Sequence, residues 1–266
     1  MLLPVDDPAD PRLAEFRLAE RGLANRADKR DDAGAGLLLA EGDLVVERAL
    51  AAGCKPYLAL ADGEQLRPVA HVLAEQIDVY LGGAEVRRFV TGLGMPQPIV
   101  ALFHRPPRPA AATLAAAARR LVVVEGVDNP VNVGGIVRNA AALGWDGLLL
   151  DHASADPFAR RALRVSMGTA FALPHARSRE LVGVLATLRD DPDVDLYALT
   201  PDSAAVDIRT LAPDPGRRRA VLIGSERAGL SAAVLAAATP VRIPMAAGVD
   251  SLNAAAATAV ACFALA

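Results

Sequence analysis

Five polar residues stand in segments otherwise built from small and aliphatic side chains. Asn132 and Arg138 lie in NPVNVGGIVRNAAALG at 129–144, and Glu226 lies in IGSERAGLS at 223–231. Ser251 and Asn253 lie in IPMAAGVDSLNAAAA at 243–257. Burying such a group without a partner costs a few kcal/mol, so a core has no use for them. Three segments of this kind, each just after an apolar run, mark a site. The Gly134–Gly135 pair, read as the opening of a helix, would offer free N–H groups for an anion.

Each residue also has a plainer reading. Glu226 could cap a helix beginning at Gly229–Leu230, and Ser251 or Asn253 could cap the last helix. Arg138 could be a surface arginine, although its Ala/Ile/Val helix is expected to be largely buried. His152 and His175 are isolated and read as structural. Two common nucleotide motifs fail on residues: the glycines do not space as GxGxxG, and Gly224–Gly229 is followed by Leu230–Ser231 where a phosphate-binding loop has Lys and Ser or Thr.

The elements that must position these residues alternate strand, turn and helix. LVVVEGV at 121–127 is a β-branched run suited to a strand buried on both faces. Further strands are expected at 147–151, 195–200, 218–224 and 241–245, with helices after the first motif, around 158–166, at 179–189 and from near Ser251. Strands alternating with helices imply a mostly parallel sheet, and ligands of such sheets bind beyond the strand carboxyl ends, where all three motifs fall. Upstream, an amphipathic helix is expected over 11–30, a glycine-ended helix over 41–53, and strands at 37–40, 57–61, 77–81 and 98–103. Pro106, Pro107 and Pro109 mark a stiff boundary. The expected division is therefore a smaller α/β domain at 1–104, a linker at 105–118 and a second α/β domain at 119–266.

The chain has 266 residues, ample for two cores. Its net charge of −3 argues against a protein coated in nucleic acid but leaves room for a local basic patch. It has only two lysines, Lys29 and Lys55, so arginine forks carry the basic contacts. Two cysteines, Cys54 and Cys262, form no disulfide framework or metal cluster. The start carries acidic residues and prolines, unlike a signal peptide, and the apolar run 254–266 is too short to span a bilayer. A soluble cytoplasmic protein without a metal is expected.

Together the three motifs resemble the SpoU (TrmH-like) family of RNA ribose 2′-O-methyltransferases, within the SPOUT class. The resemblance runs from about residue 119 to the end, and ARRALRVSMGTAFALP at 159–174 is similar to the family's connecting helix and strand. It departs after Asn253, where Ala254 and Ala255 replace a frequent Val-Ser. GLLLAEGDLVVERALAAG at 36–53 resembles, more loosely, the ribosomal-protein-like RNA-binding domain that many members carry.

The resemblance implies a trefoil-knotted catalytic domain, a homodimer formed through it, and S-adenosylmethionine held in the knot. By motif position the cofactor contacts map to Gly224, Ile243 and Leu252, with Thr200 as neighbour. Arg138 would bind the phosphate beside the target ribose and assist deprotonation, while Asn132, Glu226, Ser251 and Asn253 orient the reacting groups. RNA contacts are expected from Arg17, Arg21, Arg160, Arg161 and Arg164, with Arg217–Arg219 as a further cluster. The two-domain layout leans toward rRNA over tRNA. The competing expectation is a non-catalytic RNA-binding assembly factor on the same fold; a nicotinamide-dependent dehydrogenase is disfavoured by the missing fingerprint.

Overall fold

The computed structural model describes residues 1–26, 35–92 and 94–266. It divides into two compact units: Met1–Pro107 with Phe158–Ala172, and Arg108–Pro157 with Leu173–Ala266.

The first unit holds strands β1 (Leu2–Pro4), β2 (Leu37–Glu41), β3 (Pro56–Asp62), β4 (Val79–Gly82) and β5 (Ile99–His104). Their order is β1-β4-β3-β5-β2, with β1, β4 and β3 parallel and β5 antiparallel to both β3 and β2. Its helices are α1 (Glu20–Leu23), α2 (Asp43–Ala51), α3 (Pro68–Ala74) and α4 (Ala84–Thr91). Leu13, Phe16, Leu39, Leu60, Tyr80 and Leu102 form part of its core. The single amphipathic helix expected over 11–30 is not what forms. Pro11–Arg17 is a 3-10 turn capped by Asp10, Leu18 is extended, and α1 is one turn long. Leu13 and Phe16 still bury, because spacing by three serves a 3-10 turn as well as an α-helix. Residues 27–30 of that expectation lie outside the described residues.

The second unit contains α5 (Ala111–Ala117), β6 (Arg120–Val124), α6 (Pro130–Ala142) and β7 (Gly147–Asp151). The chain then contributes α7 (Arg160–Val165) to the first unit before returning. It continues as β8 (His175–Ser178), α8 (Leu181–Arg189), β9 (Val194–Leu199), β10 (Val206–Asp207), β11 (Arg218–Ile223), α9 (Ala232–Leu235), β12 (Thr239–Arg242) and α10 (Ala254–Ala264). The strand order is β10-β12-β9-β11-β6-β7-β8, and every pair is parallel. Leu121–Val124 are all buried, as a central strand covered on both faces requires.

Two segments differ from expectation. Residues 111–117, assigned to a linker, form α5, whose Leu114 and Ala115 enter the core with Leu121, Leu149 and Leu222. The prolines end before Ala110, and the alanine run behind them is a strong helix former. Residues 158–172, expected as part of an unbroken second domain, pack with the first unit. There Arg160 pairs with Glu41, whose side chain is 2 % exposed, and Arg48 Nη1 donates to Met167 O at 2.5 Å.

Candidate active site

Helix α6 starts at Pro130, one turn earlier than the Gly134–Gly135 pair suggested. Asn129 caps it, its Oδ1 accepting the Val131 N–H at 2.9 Å, and Pro130 occupies the first turn, where no amide hydrogen is needed. Gly134 and Gly135 are therefore inside the helix and offer no free N–H groups. Gly135 serves packing instead: a Cβ there would lie 2.6 Å from the Ala255 Cβ, so only glycine lets α10 approach α6 this closely. Asn139 Nδ2 donates to Ala255 O at 2.7 Å and Trp145 Nε1 to Cys262 O at 3.0 Å, locking the pair. Burial pushes the Cys262 thiol up to about 12, so it stays protonated and inert.

Beyond β11 the chain makes a closed turn. Gly229 N–H donates to Ser225 O at 2.9 Å, and Ala228 N–H to Ser225 Oγ at 3.1 Å. Gly224 is required by contact, since a Cβ there would sit 2.1 Å from the Gly229 carbonyl carbon. Glu125, at the end of β6, accepts from Ser231 N–H at 2.7 Å and Ser231 Oγ at 2.8 Å, anchoring the turn from below. Ser231 caps α9, so Glu226 is not a helix cap. It stands at the tip of the turn, beside Arg227.

At that tip three of the expected residues meet. Asn132 Nδ2 donates to Glu226 Oε1 at 2.7 Å, and Asn253 Nδ2 donates to the same oxygen at 2.8 Å and to Asn132 Oδ1 at 2.9 Å. Asn253 also caps α10, its Oδ1 accepting the N–H groups of Ala255 at 2.9 Å and Ala256 at 3.3 Å. One asparagine thus starts the last helix and holds the carboxylate. Asn132 is 5 % exposed, whereas Glu226 is open to solvent and its Oε2 has no hydrogen-bond partner among the described residues. A carboxylate fixed through one oxygen leaves the other to accept a ligand hydroxyl.

The cluster borders two cavities. The larger, about 500 Å³, is lined by Thr200, Gly224, Ile243 and Leu252 among others, together with Glu226, Arg227, Asp250 and Ser251. All four residues expected to hold a cofactor are in this one wall. The smaller, about 270 Å³, is lined by Gly126–Asn129, Asn132 and Ser225–Arg227. Residues 225–227 belong to both, so the turn is the partition between them. Ser251 lines the larger cavity with no side-chain hydrogen bond among the described residues; the cap of the last helix is Asn253.

Arg138 departs from expectation. It is exposed, lines neither cavity and has no partner among the described residues. Val131, Arg138 and Ala142 form the solvent stripe of α6, opposite Val133, Ile136, Val137 and Ala140. Arg138 lies six positions after Asn132, about 9 Å along the axis. An alanine-rich helix still needs an outer face, and its composition does not say which.

The arginines expected on RNA meet different fates. Arg21 and Arg161 are exposed and unpaired among the described residues, while Arg17 Nη1 donates to Pro8 O at 2.8 Å. Arg160 is taken up by Glu41, and Arg164 stands 4.0 Å from the same carboxylate. Asp128, Asn129, Glu125, Arg227 and Asp250 were missed. Asn129-Pro130 carried a readable cap signal; the others look like ordinary surface charges.

An all-parallel sheet with a polar cluster and two cavities in the loops beyond it defines an α/β domain built to bind ligands at its strand carboxyl ends. Residues 119–263 match the model of the SpoU rRNA Methylase family, and the chain belongs to that family. It is an RNA methyltransferase of the SpoU family. An uncharacterized tRNA/rRNA methyltransferase of Mycobacterium tuberculosis is 39% identical over 262 residues, 97% of this chain and 89% of the relative. The 23S rRNA (guanosine(2553)-2′-O)-methyltransferase RlmP of Bacillus subtilis is 27% identical over 234 residues, 87% of this chain and 89% of its own length. The AdoMet-bound rRNA methyltransferase from Sinorhizobium meliloti superposes with a TM-score of 0.81 at 26% identity, over 99% of this chain and 97% of that one. No helix among the described residues is long and apolar enough to cross a membrane, and no group of His, Cys, Asp or Glu among them could hold a metal.

Proposed function

We propose that the protein is an S-adenosylmethionine-dependent RNA 2′-O-ribose methyltransferase acting on rRNA in the cytoplasm, as a homodimer whose second unit carries the family's trefoil knot. The observation that carries this reading is the Asn132–Glu226–Asn253 cluster, whose Glu226 stands on the wall of the larger cavity. The RlmP resemblance along most of the chain supports ribose and rRNA over other targets. In this reading Met1–Pro107 is the RNA-binding unit.

The larger cavity fits the cofactor in size and charge. Leu199, Ile223, Ile243 and Leu252 offer apolar surface for an adenine, and the closure at Gly224 lets backbone approach closely. Its charged lining is Glu226, Asp250 and Arg227, one negative charge in excess. S-adenosylmethionine carries one positive charge in excess, from its sulfonium and ammonium against one carboxylate. When bound, it supplies an activated methyl group to an attacking oxygen. Thr200, Gly224, Ile243 and Leu252 are the residues that would hold it.

The chain's own work is positioning. Glu226, held through Oε1, accepts the ribose hydroxyl on Oε2 and fixes its direction, with Asn132 and Asn253 keeping the carboxylate in place and Ser251 facing the same cavity. Arg138 binds the neighbouring phosphate and lowers the cost of removing the hydroxyl proton. A guanidinium remains protonated, so it acts by its charge. Since Arg138 reaches neither cavity within one chain, the homodimer is what would deliver it. The outward α6 stripe and the exposed Val260 and Phe263 of α10 lie on neighbouring packed helices suited to such a contact. Arg17, Arg21, Arg161 and Arg164 remain as RNA contacts, with Arg160 kept from that task by Glu41.

The test is transfer of labelled methyl from S-adenosylmethionine to unmodified rRNA and tRNA pools, followed by nuclease mapping. Label in a 2′-O-methylated nucleotide of rRNA is the expected result. Label on a base would sink the ribose assignment. No transfer and no cofactor binding would favour the non-catalytic assembly factor.

A further inference from the structure

The turn at 224–229 presents two adjacent charges and treats them differently. Glu226 is held by two amide groups. Arg227 is exposed and makes no hydrogen bond or ion pair among the described residues, although it lines the same small cavity as Glu226 and Asp128. Asp128 is likewise exposed and unpaired. A guanidinium that shares a cavity with two carboxylates and pairs with neither remains free for an external anion.

The charges also fix how a ligand must enter. The small cavity is lined by Asp128 and Glu226, both hydrogen-bond acceptors, and by the amide of Asn132. Two carboxylates repel phosphate, so an anion would not be held deep among them. They accept hydroxyl and N–H donors instead. Arg227 differs from Asp128 in belonging to the wall shared with the larger cavity. A matching ligand offers donors at one end and an anion at the other. A ribonucleotide has this pattern, with its ribose hydroxyls and base N–H groups on one side and its phosphate on another.

We infer that the 270 Å³ cavity takes the target ribonucleotide of the RNA, its donors toward Asp128 and Glu226 and its phosphate on Arg227. This rests on the methyl-transfer reading for its choice of RNA, but it makes a binding residue of one that the three sequence motifs leave unassigned. Arg227 is distinct from Arg138, which lines neither cavity. The closed turn holds Arg227 at the partition, so the nucleotide it binds lies against the larger cavity's wall.

The experiment compares wild type with Arg227→Gln and Arg227→Lys in the full-length protein. Binding of a fluorescein-labelled single-stranded 12-nucleotide RNA of mixed sequence is measured by anisotropy across a salt series. S-adenosylmethionine binding is measured by calorimetry, and methyl transfer to unmodified rRNA as kcat and KM. Arg227→Gln is expected to weaken RNA binding about tenfold, equivalent to ~1.4 kcal/mol. The slope of log affinity against log salt should fall by about 0.7, the value for one phosphate contact on a single strand. KM for RNA should rise while kcat stays within about threefold of wild type, a loss of binding shared by ground and transition states. Arg227→Lys should restore the salt slope. Unchanged RNA affinity and slope would overturn the inference. So would a loss confined to S-adenosylmethionine affinity, which would place Arg227 on the cofactor's carboxylate. If wild type transfers no methyl group, the proposed function fails while the anisotropy series still decides Arg227. Arg227 has no partner to lose among the described residues, so its variants should melt with wild type, and a lowered melting temperature with unchanged salt slope would also count against the inference.

Discussion

At the amino ends of β9, β11 and β6, arginines are consumed by the protein itself. Arg217 pairs with Asp195 at 2.8 Å, and Arg218 with Asp191 at 3.3 Å. Arg219, 4 % exposed, donates to Leu265 O at 2.8 Å and Asp214 O at 2.9 Å. At the carboxyl end of β11, Arg227 has no partner among the described residues and stands between two cavities. Residue type is the same at both ends, so type says nothing about role. What separates them is the supply of acceptors. Strand amino ends here meet aspartates and helix carbonyls, while the carboxyl-end turn commits its own carboxylate to two asparagines. The cluster Arg217–Arg219, expected on RNA, is therefore engaged by the protein itself, and an arginine outside every expectation has no partner among the described residues.

The contrast predicts opposite consequences for similar substitutions. The largest effect should come from Arg138→Ala, which loses no partner among the described residues. Methyl transfer should fall on the order of 10³-fold, about 4 kcal/mol of transition-state stabilisation, with the melting temperature and S-adenosylmethionine affinity unchanged. Wild-type turnover in this variant would remove Arg138 from the mechanism.

Next come the committed arginines. Arg160→Ala leaves the Glu41 carboxylate buried with only Arg164 at 4.0 Å, and should cost about 3 kcal/mol of stability. Arg219→Ala strands the buried Leu265 carbonyl, breaks the half-buried bond to Asp214 O, and should cost about 2 kcal/mol. Denaturant unfolding measures both, and turnover per folded molecule should hold. Normal stability with weakened RNA binding in either variant would erase the contrast between consumed and free arginines.

Much of this was legible in the sequence, for physical reasons. β6, β7 and β11 announce themselves because central strands must be apolar on both faces. Thr200, Gly224 and Ile243 share one cavity wall because each lies just beyond the carboxyl end of a strand, and Leu252 joins them from the loop before α10. β8, with the sequence His-Ala-Arg-Ser, carries no strand pattern; it is an edge strand, where pairing with β7 decides. The outward face of Arg138 is hidden because alanine fits buried and exposed positions alike. Glu41 and Arg160 lie 119 positions apart, and nothing local in either segment announces the pair.

Asn253 tests the middle ground, because it is both structural and part of the cluster. Asn253→Ala removes a helix cap, worth about 1 kcal/mol, and one of two donors to Glu226 Oε1. Asn253→Ser restores a cap but is too short to imitate both amide contacts. Stability should recover in the serine variant while methyl transfer stays reduced by about tenfold, the effect of one lost hydrogen bond to a charged group. Recovery of both together would reduce Asn253 to a helix cap.

The smallest effect concerns arginines that are paired at a carboxyl end. Asp207, at the end of β10, receives Arg209 Nη2 at 2.6 Å, with Arg242 Nη2 at 3.6 Å. The Arg209 side-chain hydrogen bond holds its carboxyl below the usual 3.8, at about 2. A carboxylate whose folded pKa is depressed stabilises the fold fully above its unfolded pKa and loses that contribution as pH falls through the folded one. Asp207→Asn keeps the side-chain oxygen that caps the following 3-10 turn and removes only the charge. Its melting temperature should therefore lie slightly below wild type at pH 6, converge between pH 4 and about 2, and coincide below that, with methyl transfer at pH 7 unaltered. Neither Arg209 nor Arg242 lines a cavity, so an effect on turnover would mean that position at the carboxyl end matters more than freedom from a carboxylate. Unaltered turnover would leave the absence of a partner, together with a place on a cavity wall, as what distinguishes Arg227.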